Sequence, residues 1–490
     1  MMNKTLHIIF PVNLYSNNKY LTVDKDICVF EDPVYFTQYN FHKMKLLYHR
    51  ITMKKYFDSL NYSKKKYYDF KIDIFKIIKK YDTIEFIYPH DKIITDKYIK
   101  FCNKTKIKLV ILESQNFMIN TKDIIDYTGA IYHDRSFYPY MRKRFNIFMT
   151  KDDKPIGNKY SFDKDNRKKI VLGKPKIAVN RDKYYIEAEK YVDKYFNDNY
   201  GEYDMMMYPT TRNESMSLLK KFCKTKLNHF GDYEDAIDKD NSFLYHSQLS
   251  SCMNIGLITD TDVVDYVLKY YKANKVSYNN VEGFIRQIIG WRNYVYLIYE
   301  KFSHTIRKSN HLNHTNKLTH KFYNGTTQIP IIDDTIKKAL KFCYLNHIER
   351  LMVMGNFMLL CKIKPQEVMK WFFELVSIDA YDVFMVPNVL CMSQFADGGL
   401  MMNRPYFCSS NYLLKMSNYK KNDGIVKLRS GEYDWTYIFD CLYYNFIVEN
   451  KKTLSKIYAT ASMVKLSEKK DGLKKMINVA EEYIDFLSTP

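Results

Sequence analysis

The stretch 346–419 constrains the fold most. It begins NHIERLMVMGNFMLL, in which Ile348, Leu351, Met352, Gly355, Met358 and Leu359 recur at helical spacing on one broad face. His347 and Asn356 flank that face. Pro365 suits the first turn of a second helix that buries Val368, Phe372 and Leu375. Asp379 and Asp382 are expected at the far end of this helix. Beyond them the period fails, and Pro387, Asn388, Gly398 and Gly399 predict irregular, closely packed backbone. A long polar loop between helices is costly to order, so it is expected to wrap a ligand.

Two patterns divide the rest. Short apolar runs at 6–10, 27–30, 84–87 and 108–112 alternate with helical stretches, which predicts a parallel, Rossmann-like α/β sheet. Ligands of such sheets lie at the strand C-termini. No GxGxxG occurs, which argues against a conventional dinucleotide domain. The segment 41–59 reads as a basic amphipathic helix. From Lys183 onward the period is largely 3.6 residues. Between the two, 151–180 is polar and carries Pro155, Gly157, Gly173 and Pro175. The expected fold class is therefore α/β plus all-α: an α/β domain over 1–150, a linker over 151–182 and a helical domain over 183–490.

The formal net charge of +21 favours a polyanionic partner, most simply nucleic acid. Abundant Lys, Asn, Tyr and Ile equally fit AT-rich coding sequence. Nine cysteines without a CxxC pair predict free thiols in a reducing compartment. The run 6–15 is too short for a signal-peptide core, and no span approaches a membrane helix. The segment SFYPYMRKRFNIFMT (136–150) offers either a nucleic-acid surface through Arg142, Lys143 and Arg144, or a domain-edge helix burying Tyr138, Met141, Phe145 and Phe148. His304, His311, His314 and His320 lack cysteine partners and ligand spacing, so 304–325 reads as a basic surface excursion and no metal site is expected.

Three groups of polar residues have binding chemistry. In FLYHSQLSSCMNIG, His246, Ser247, Ser250 and Asn254 put small donors beside turning backbone, a combination that suits a pyrophosphate. In VEGFIRQIIGWR, Arg286 lies one helical turn beyond Glu282, beside Gln287, Trp291 and Arg292. That corner is either a salt-bridged packing helix or part of a binding floor. Asp379 and Asp382 need donors if buried, such as Arg286 or Arg350. Asn356 and Asn388 are further polar candidates.

These motifs carry a resemblance. The stretch 346–419, together with EDPVYFTQYNFHKMKLLYHRITMKKY (31–56), FLYHSQLSSCMNIGLIT (243–259) and NVEGFIRQIIGWRNYVYLIYE (280–300), resembles the photolyase-related branch of the cryptochrome and photolyase family. That branch includes bacterial iron–sulfur photolyases that repair (6-4) photoproducts. The likeness covers nearly the whole chain. It implies that the helical domain binds FAD through the three polar groups and that the partner is UV-damaged DNA. It implies light-driven electron donation from reduced FAD, with an imidazole acid at the lesion. Relatives have a His–His pair where this chain has Asn346 and His347, so His347 is the implied acid and Asn346 retains a hydrogen bond only. Trp371 matches a Trp near the flavin, Tyr323 the region of a second Trp, and Phe372 stands where relatives have an oxidisable Tyr. The implied relay is therefore shortened, from Trp371 to Tyr323 or Tyr381.

The resemblance also implies a ribityl-lumazine antenna with Glu31 as a polar contact, beside the alternative that Glu31 and Asp32 only form a turn before Pro33. The four cluster cysteines of the relatives are replaced near Pro330 or Ile331, at 420–423 and near Thr436 or Tyr437. An iron–sulfur cluster is therefore expected to be absent, with 420–435 held by Tyr433, Trp435 and Tyr437. Gln394, Phe395, Met401, Met402 and Arg404 are implied to shape the lesion pocket, and Lys415, Lys420 and Lys421 to meet phosphates. The function expected is that of a monomeric, intracellular, FAD-dependent (6-4) photolyase, located wherever DNA resides (nucleoid, nucleus or viral factory). The alternatives are a cryptochrome-like photoreceptor, a cyclobutane-dimer photolyase and a nucleic-acid-binding protein without cofactor.

Overall fold

The computed structural model describes residues 4–131, 133–162 and 168–489; residues 163–167 of the expected linker lie outside these. Five parallel strands open the chain: β1 Thr5–Ile9, β2 Asp26–Phe30, β3 Lys65–Tyr68, β4 Thr83–Ile87 and β5 Lys108–Leu112. Their order is β3-β2-β1-β4-β5, so the topology reverses between β1 and β4. Ile8 pairs with Cys28 on one side and Phe86 on the other, all three buried. The sequence pattern passes over β3 because KKYY has no apolar run; its residues are exposed or half-buried, as an edge strand permits.

The helix Lys43–Ser59 corrects the reading of 41–59 as amphipathic. It is buried along most of its length and packs against the helix Lys183–Phe196. Two of its cations, Lys45 and Arg50, point inward. Lys45 Nζ donates to the Ala380 carbonyl at 2.6 Å and lies 4.1 Å over the Tyr381 ring. Arg50 donates to Glu31 at 2.7 Å and to Glu187, with its guanidinium between the rings of Tyr67 and Tyr191. A buried cation needs such partners, and each partner comes from a different segment.

Arg142 gives a second correction. It is buried and does not line a nucleic-acid surface. Its guanidinium donates to the carbonyls of Ile147, Phe148, Lys159 and Tyr160 and to the Tyr278 hydroxyl. Five acceptors around one fork fold the start of the interdomain segment back on itself and onto the helical part.

That part is built on five long elements. The helical run 278–306 packs on 382–393, 349–360 packs on 382–393 and on Trp435–Glu449, and Trp435–Glu449 packs on Leu473–Ser488. An antiparallel hairpin, β6 Ile425–Leu428 and β7 Gly431–Asp434, fills the 420–435 region. Trp435 anchors it, fully buried, with its indole N–H on the Lys420 carbonyl at 2.9 Å, and Tyr433 stacks on Tyr437. All nine cysteines are buried and unbridged, and no group of metal-ligand residues occurs among the described residues. His304, His311 and His320 are exposed, whereas His314 is buried against Phe446. No helix among the described residues is long and apolar enough to cross a membrane.

The buried charges and imidazoles lead to two predictions. Arg50→Ala should lower stability by about 3–5 kcal/mol in urea unfolding, because Glu31 stays buried without its cation; adding Glu31→Gln should recover part of the loss. Burial holds His42, His246 and His314 down at about 4 and His90 at about 3. Their folded values lie below the unfolded value of about 6.5, so the unfolded chain binds protons first as pH falls. The stability they contribute is complete above that value and is lost as pH falls towards 4. The urea midpoint should therefore drop between pH ~7 and ~5 with an unchanged m-value; a flat midpoint would contradict this.

Candidate functional site

Three of the sequence motifs form wide, π-helical turns inside longer helices: Arg286–Arg292, Glu349–Gly355 and Val386–Ser393. Such turns leave backbone bonds off register and are frequent at functional sites. Two of them touch. A Cβ on Gly355 would stand 2.2 Å from Ser393 Oγ, so only glycine allows this approach. Gln394 fixes the contact by donating to the Gly355 carbonyl at 2.9 Å.

An ionic network joins the motifs below these turns. Arg350 grips Asp379 through two bonds of 2.9 and 3.0 Å. Asn254 donates to the Asp379 carbonyl at 2.8 Å and accepts from Arg292. Arg292 also reaches Asp260 at 2.6 Å and Asn116 at 3.3 Å, with Phe117 and Phe384 against its guanidinium. Burial raises the Asp260 carboxyl above its ordinary value, and Arg292 opposes the shift. The structure thus brings Asn254, Arg292 and Asp379 together. It corrects the placing of the two aspartates: the second helix ends at Leu375, Asp379 closes the short turn Ser377–Asp379, and Asp382 opens the next helix. Asp382 is held by Arg307 and the Tyr299 hydroxyl, partners the sequence reading missed because Arg307 stands in a stretch read as surface. Asp91, buried near Asp382, is pushed up to about 8, first by burial and then by that charge.

The loop 242–251 supplies the donors. Ser242 Oγ, Gln248 Nε2 and Ser251 Oγ are buried and make no hydrogen bond, as is His246 Nδ1. His246 Nε2 meets the Glu234 carbonyl at 3.1 Å, and burial keeps the ring neutral. Ser247 Oγ accepts from the Leu249 N–H at 3.4 Å, Ser250 opens the helix Ser250–Asn254, and Gln248 has φ +60°. Buried unpaired donors are costly unless a ligand uses them. Several hydroxyl and amide donors on one turning loop fit the hydroxyls and pyrophosphate of a flavin dinucleotide.

Beside the loop, Arg286 lies 3.5 Å from Glu282 and 3.8 Å from Glu234. Glu282 also accepts from the Tyr138 hydroxyl at 2.8 Å and the Phe162 N–H at 3.2 Å; Gln287 donates back to the Gly283 carbonyl at 3.2 Å. His133 stacks on Trp291 with ring centroids 3.7 Å apart.

Asn346 is not beside the solvent-facing chemistry. It is fully buried as a helix cap, exchanging bonds of 3.0 and 3.2 Å with Glu349 and donating to the Ser242 carbonyl. His347, the next residue, is exposed and near enough to His246 to influence its titration. Asn356 is spent on the Cys408 backbone, accepting from its N–H at 3.1 Å and donating to its carbonyl at 3.3 Å; it pins the 397–408 loop. Asn388 is half-buried in the Val386–Ser393 turn. Trp371 is buried, with its indole N–H on the Phe322 carbonyl at 2.7 Å, and the Tyr323 hydroxyl donates to Glu374 at 2.8 Å. Glu31 lies apart from all of these. Its oxygens are taken by Arg50, the hydroxyls of Tyr67 and Tyr191 and the Phe70 N–H. It has no contact left for an antenna, and a chromophore site at Glu31 does not fit the residues present.

Comparison with known proteins bears on the family and the fold. Residues 7–208 match the family model described as deoxyribodipyrimidine photo-lyase-related protein. Over 322 residues the chain is 35% identical to a (6-4) photolyase of Agrobacterium fabrum, covering 65% of this chain and 63%, a little under two thirds, of that protein's length. An uncharacterized protein of Acanthamoeba polyphaga mimivirus, R855, is 50% identical over 99 residues, 20% of this chain and 72% of that one. Among solved structures, a class III photolyase from Agrobacterium tumefaciens superposes with a TM-score of 0.56 over 85% of this chain and 84% of that chain, at 13% identity. The Synechocystis cryptochrome gives the same score and identity over 84% of this chain and 88% of that one. These two show a shared fold: a parallel α/β part followed by a helical part. Motifs, fold and family model agree: residues 7–208 match the photolyase-related family, and the chain resembles the photolyase-related branch of the cryptochrome and photolyase family.

Proposed function

We propose that this chain is a light-dependent DNA-repair lyase that binds FAD and acts on (6-4) photoproducts. One observation carries the reading: an exposed imidazole, His347, follows Asn346, which bonds the Ser242 carbonyl, and so stands beside a loop of buried, unpartnered donors. When bound, reduced FAD supplies the light-driven electron. The chain's own residues do the rest. Ser242, His246, Gln248 and Ser251 offer hydrogen bonds to the cofactor's polar chain, beside Ser247 and Ser250. Arg350, Arg292 and Arg307 are neutralised by buried aspartates, so they stiffen the site without adding net charge to it. The solvent-exposed His347 holds a proton where an extruded lesion can reach it. The excess of positive charge draws the protein to DNA in a salt-dependent, weakly sequence-specific way.

The test measures (6-4) lesions and cyclobutane dimers by chromatography in duplex DNA, incubated with flavin-loaded, reduced protein under blue light and in the dark. Light-dependent loss of only (6-4) lesions is expected. His347→Ala should slow it by ~10²-fold or more, the contribution of a positioned acid, while flavin content stays unchanged. Intact lesions beside bound, reduced FAD would overturn the repair reading in favour of a photoreceptor; loss of cyclobutane dimers alone would reassign the lesion.

A further inference from the structure

The segment 451–475 takes no part in the site described above. Its eight lysines stand against two acids, Glu468 and Asp471, so 25 residues carry +6 of the net +21. In the helix Lys43–Ser59 the cations Lys45 and Arg50 turn into the core; here all eight lysines are exposed. Only Lys451 is in an ion pair among the described residues, with Glu468 at 2.6 Å. The segment forms two helices, Lys451–Leu454 and Tyr458–Glu468, and then enters Leu473–Ser488. The Lys451–Glu468 pair draws the end of the second helix onto the first, so Lys451 and Lys452 come beside Lys469 and Lys470.

The helix Tyr458–Glu468 buries Thr460, Val464 and Ser467 and packs on Trp435–Glu449. At about 100° per residue, Tyr458, Ser462, Lys465, Leu466 and Lys469 fall on one stripe of the opposite side, and all five are exposed. Tyr458 is 99% exposed, so both faces of its ring are open to solvent. A bare ring contributes nothing to the core; set among cations it is a stacking platform. The lysine field continues towards the β6–β7 hairpin. Lys470 lies 5.4 Å over the half-buried Tyr444 ring, and Lys421 and Lys470 both act on the Asp440 carboxyl.

We propose that this face is a second nucleic-acid site, separate from the lesion site, that holds a single strand: its lysines meet successive phosphates and Tyr458 stacks on a base. Charge complementarity selects a polyanion. The open ring selects one with free base faces, which a duplex keeps stacked inside. A membrane surface fits less well, because Tyr458 and Leu466 are the only large apolar side chains on the stripe and an interfacial helix needs a broad apolar face. Flexible, unpaired lysines spread over one face match evenly repeated phosphates better than the fixed carboxylates of an acidic protein. The helix Trp435–Glu449 lies between this face and Asn356–Leu360, the continuation of the helical run that starts beside His347. A strand bound here leaves the His347 side open, so the protein can keep one segment of nucleic acid while it engages another. Neither flavin nor repair enters this inference.

The test uses the full chain as purified, in the dark, with an undamaged, fluorescein-labelled oligothymidylate followed by anisotropy over a salt series. Tyr458→Ala should weaken binding by ~10-fold, the loss of one stacked base, while Tyr458→Phe keeps it. Lys452→Ala, Lys469→Ala and Lys474→Ala combined should lower the slope of log K against log salt by about 2, since each phosphate contact on a single strand contributes ~0.7. All four side chains are exposed, so the far-ultraviolet circular dichroism should stay that of the wild type. An undamaged duplex of the same length should be indifferent to Tyr458→Ala. Oligothymidylate binding untouched by Tyr458→Ala and by the triple lysine variant would overturn the proposal. So would an equal loss on the duplex, which removes the stacking, or a loss caused by His347→Ala, which places the strand in the lesion site. Binding to phosphatidylserine vesicles that these variants abolish, beside unchanged oligothymidylate binding, would reassign the face to a membrane.

Discussion

Arg292 is the joint on which the arrangement depends. One guanidinium, nearly removed from water, must place all its donors, and the acceptors come from segments far apart in the chain. Asn116 belongs to the loop after the last strand of the parallel sheet, Asn254 and Asp260 to the donor loop and the helix after it. Phe384, against the same guanidinium, belongs to the Asp382 helix. The sheet, the donor loop and the helical core are thus registered against each other by one side chain. Asn254 extends the chain of bonds to Asp379 and so to Arg350.

A small part of the positive charge is used in this internal way. Lys45, Arg50, Arg142, Arg286 and Lys338 are buried, and each is answered by carboxylates or carbonyls. Pairs of this kind add little net stability, since desolvation offsets most of the Coulomb gain. Their effect is on uniqueness: a misregistered segment strands a charge in the core. Buried carboxylates outnumber buried cations, so the exposed surface keeps the whole of the chain's positive excess.

The sequence was most legible where period and chain direction coincide. Four of the five strands and the Pro365 helix could be read from apolar spacing, whereas Pro387 and Asn388, expected in irregular backbone, lie in the helical run 382–393. The edge strand β3 could not, because two lysines and two tyrosines carry no strand signal without a neighbour. Basic residues misled twice. The helix Lys43–Ser59 and Arg142 have the composition of a surface, and only the partners Glu31, Glu187 and the carbonyls around Arg142 show that they are interior. At the site, the Arg350–Asp379 pair was among the options that sequence spacing left open, while Arg307 and Tyr299 gave no signal. The role of Asn346 as a cap was available in principle, since Glu349 stands three residues on.

The wide turns at 286–292, 349–355 and 386–393 have a consequence for how this family can change. Each accommodates extra residues relative to a regular helix, and every residue added or removed rotates the rest of that helix by about 100°. Deleting one residue from such a turn leaves a continuous helix of nearly the same length whose downstream side chains all face elsewhere. At these three places the reading frame of the helix face is set by residue count rather than by residue identity. Divergence there should proceed by single-residue insertions and deletions that come in compensating pairs, and alignments that forbid gaps inside helices will misassign the residues beyond them.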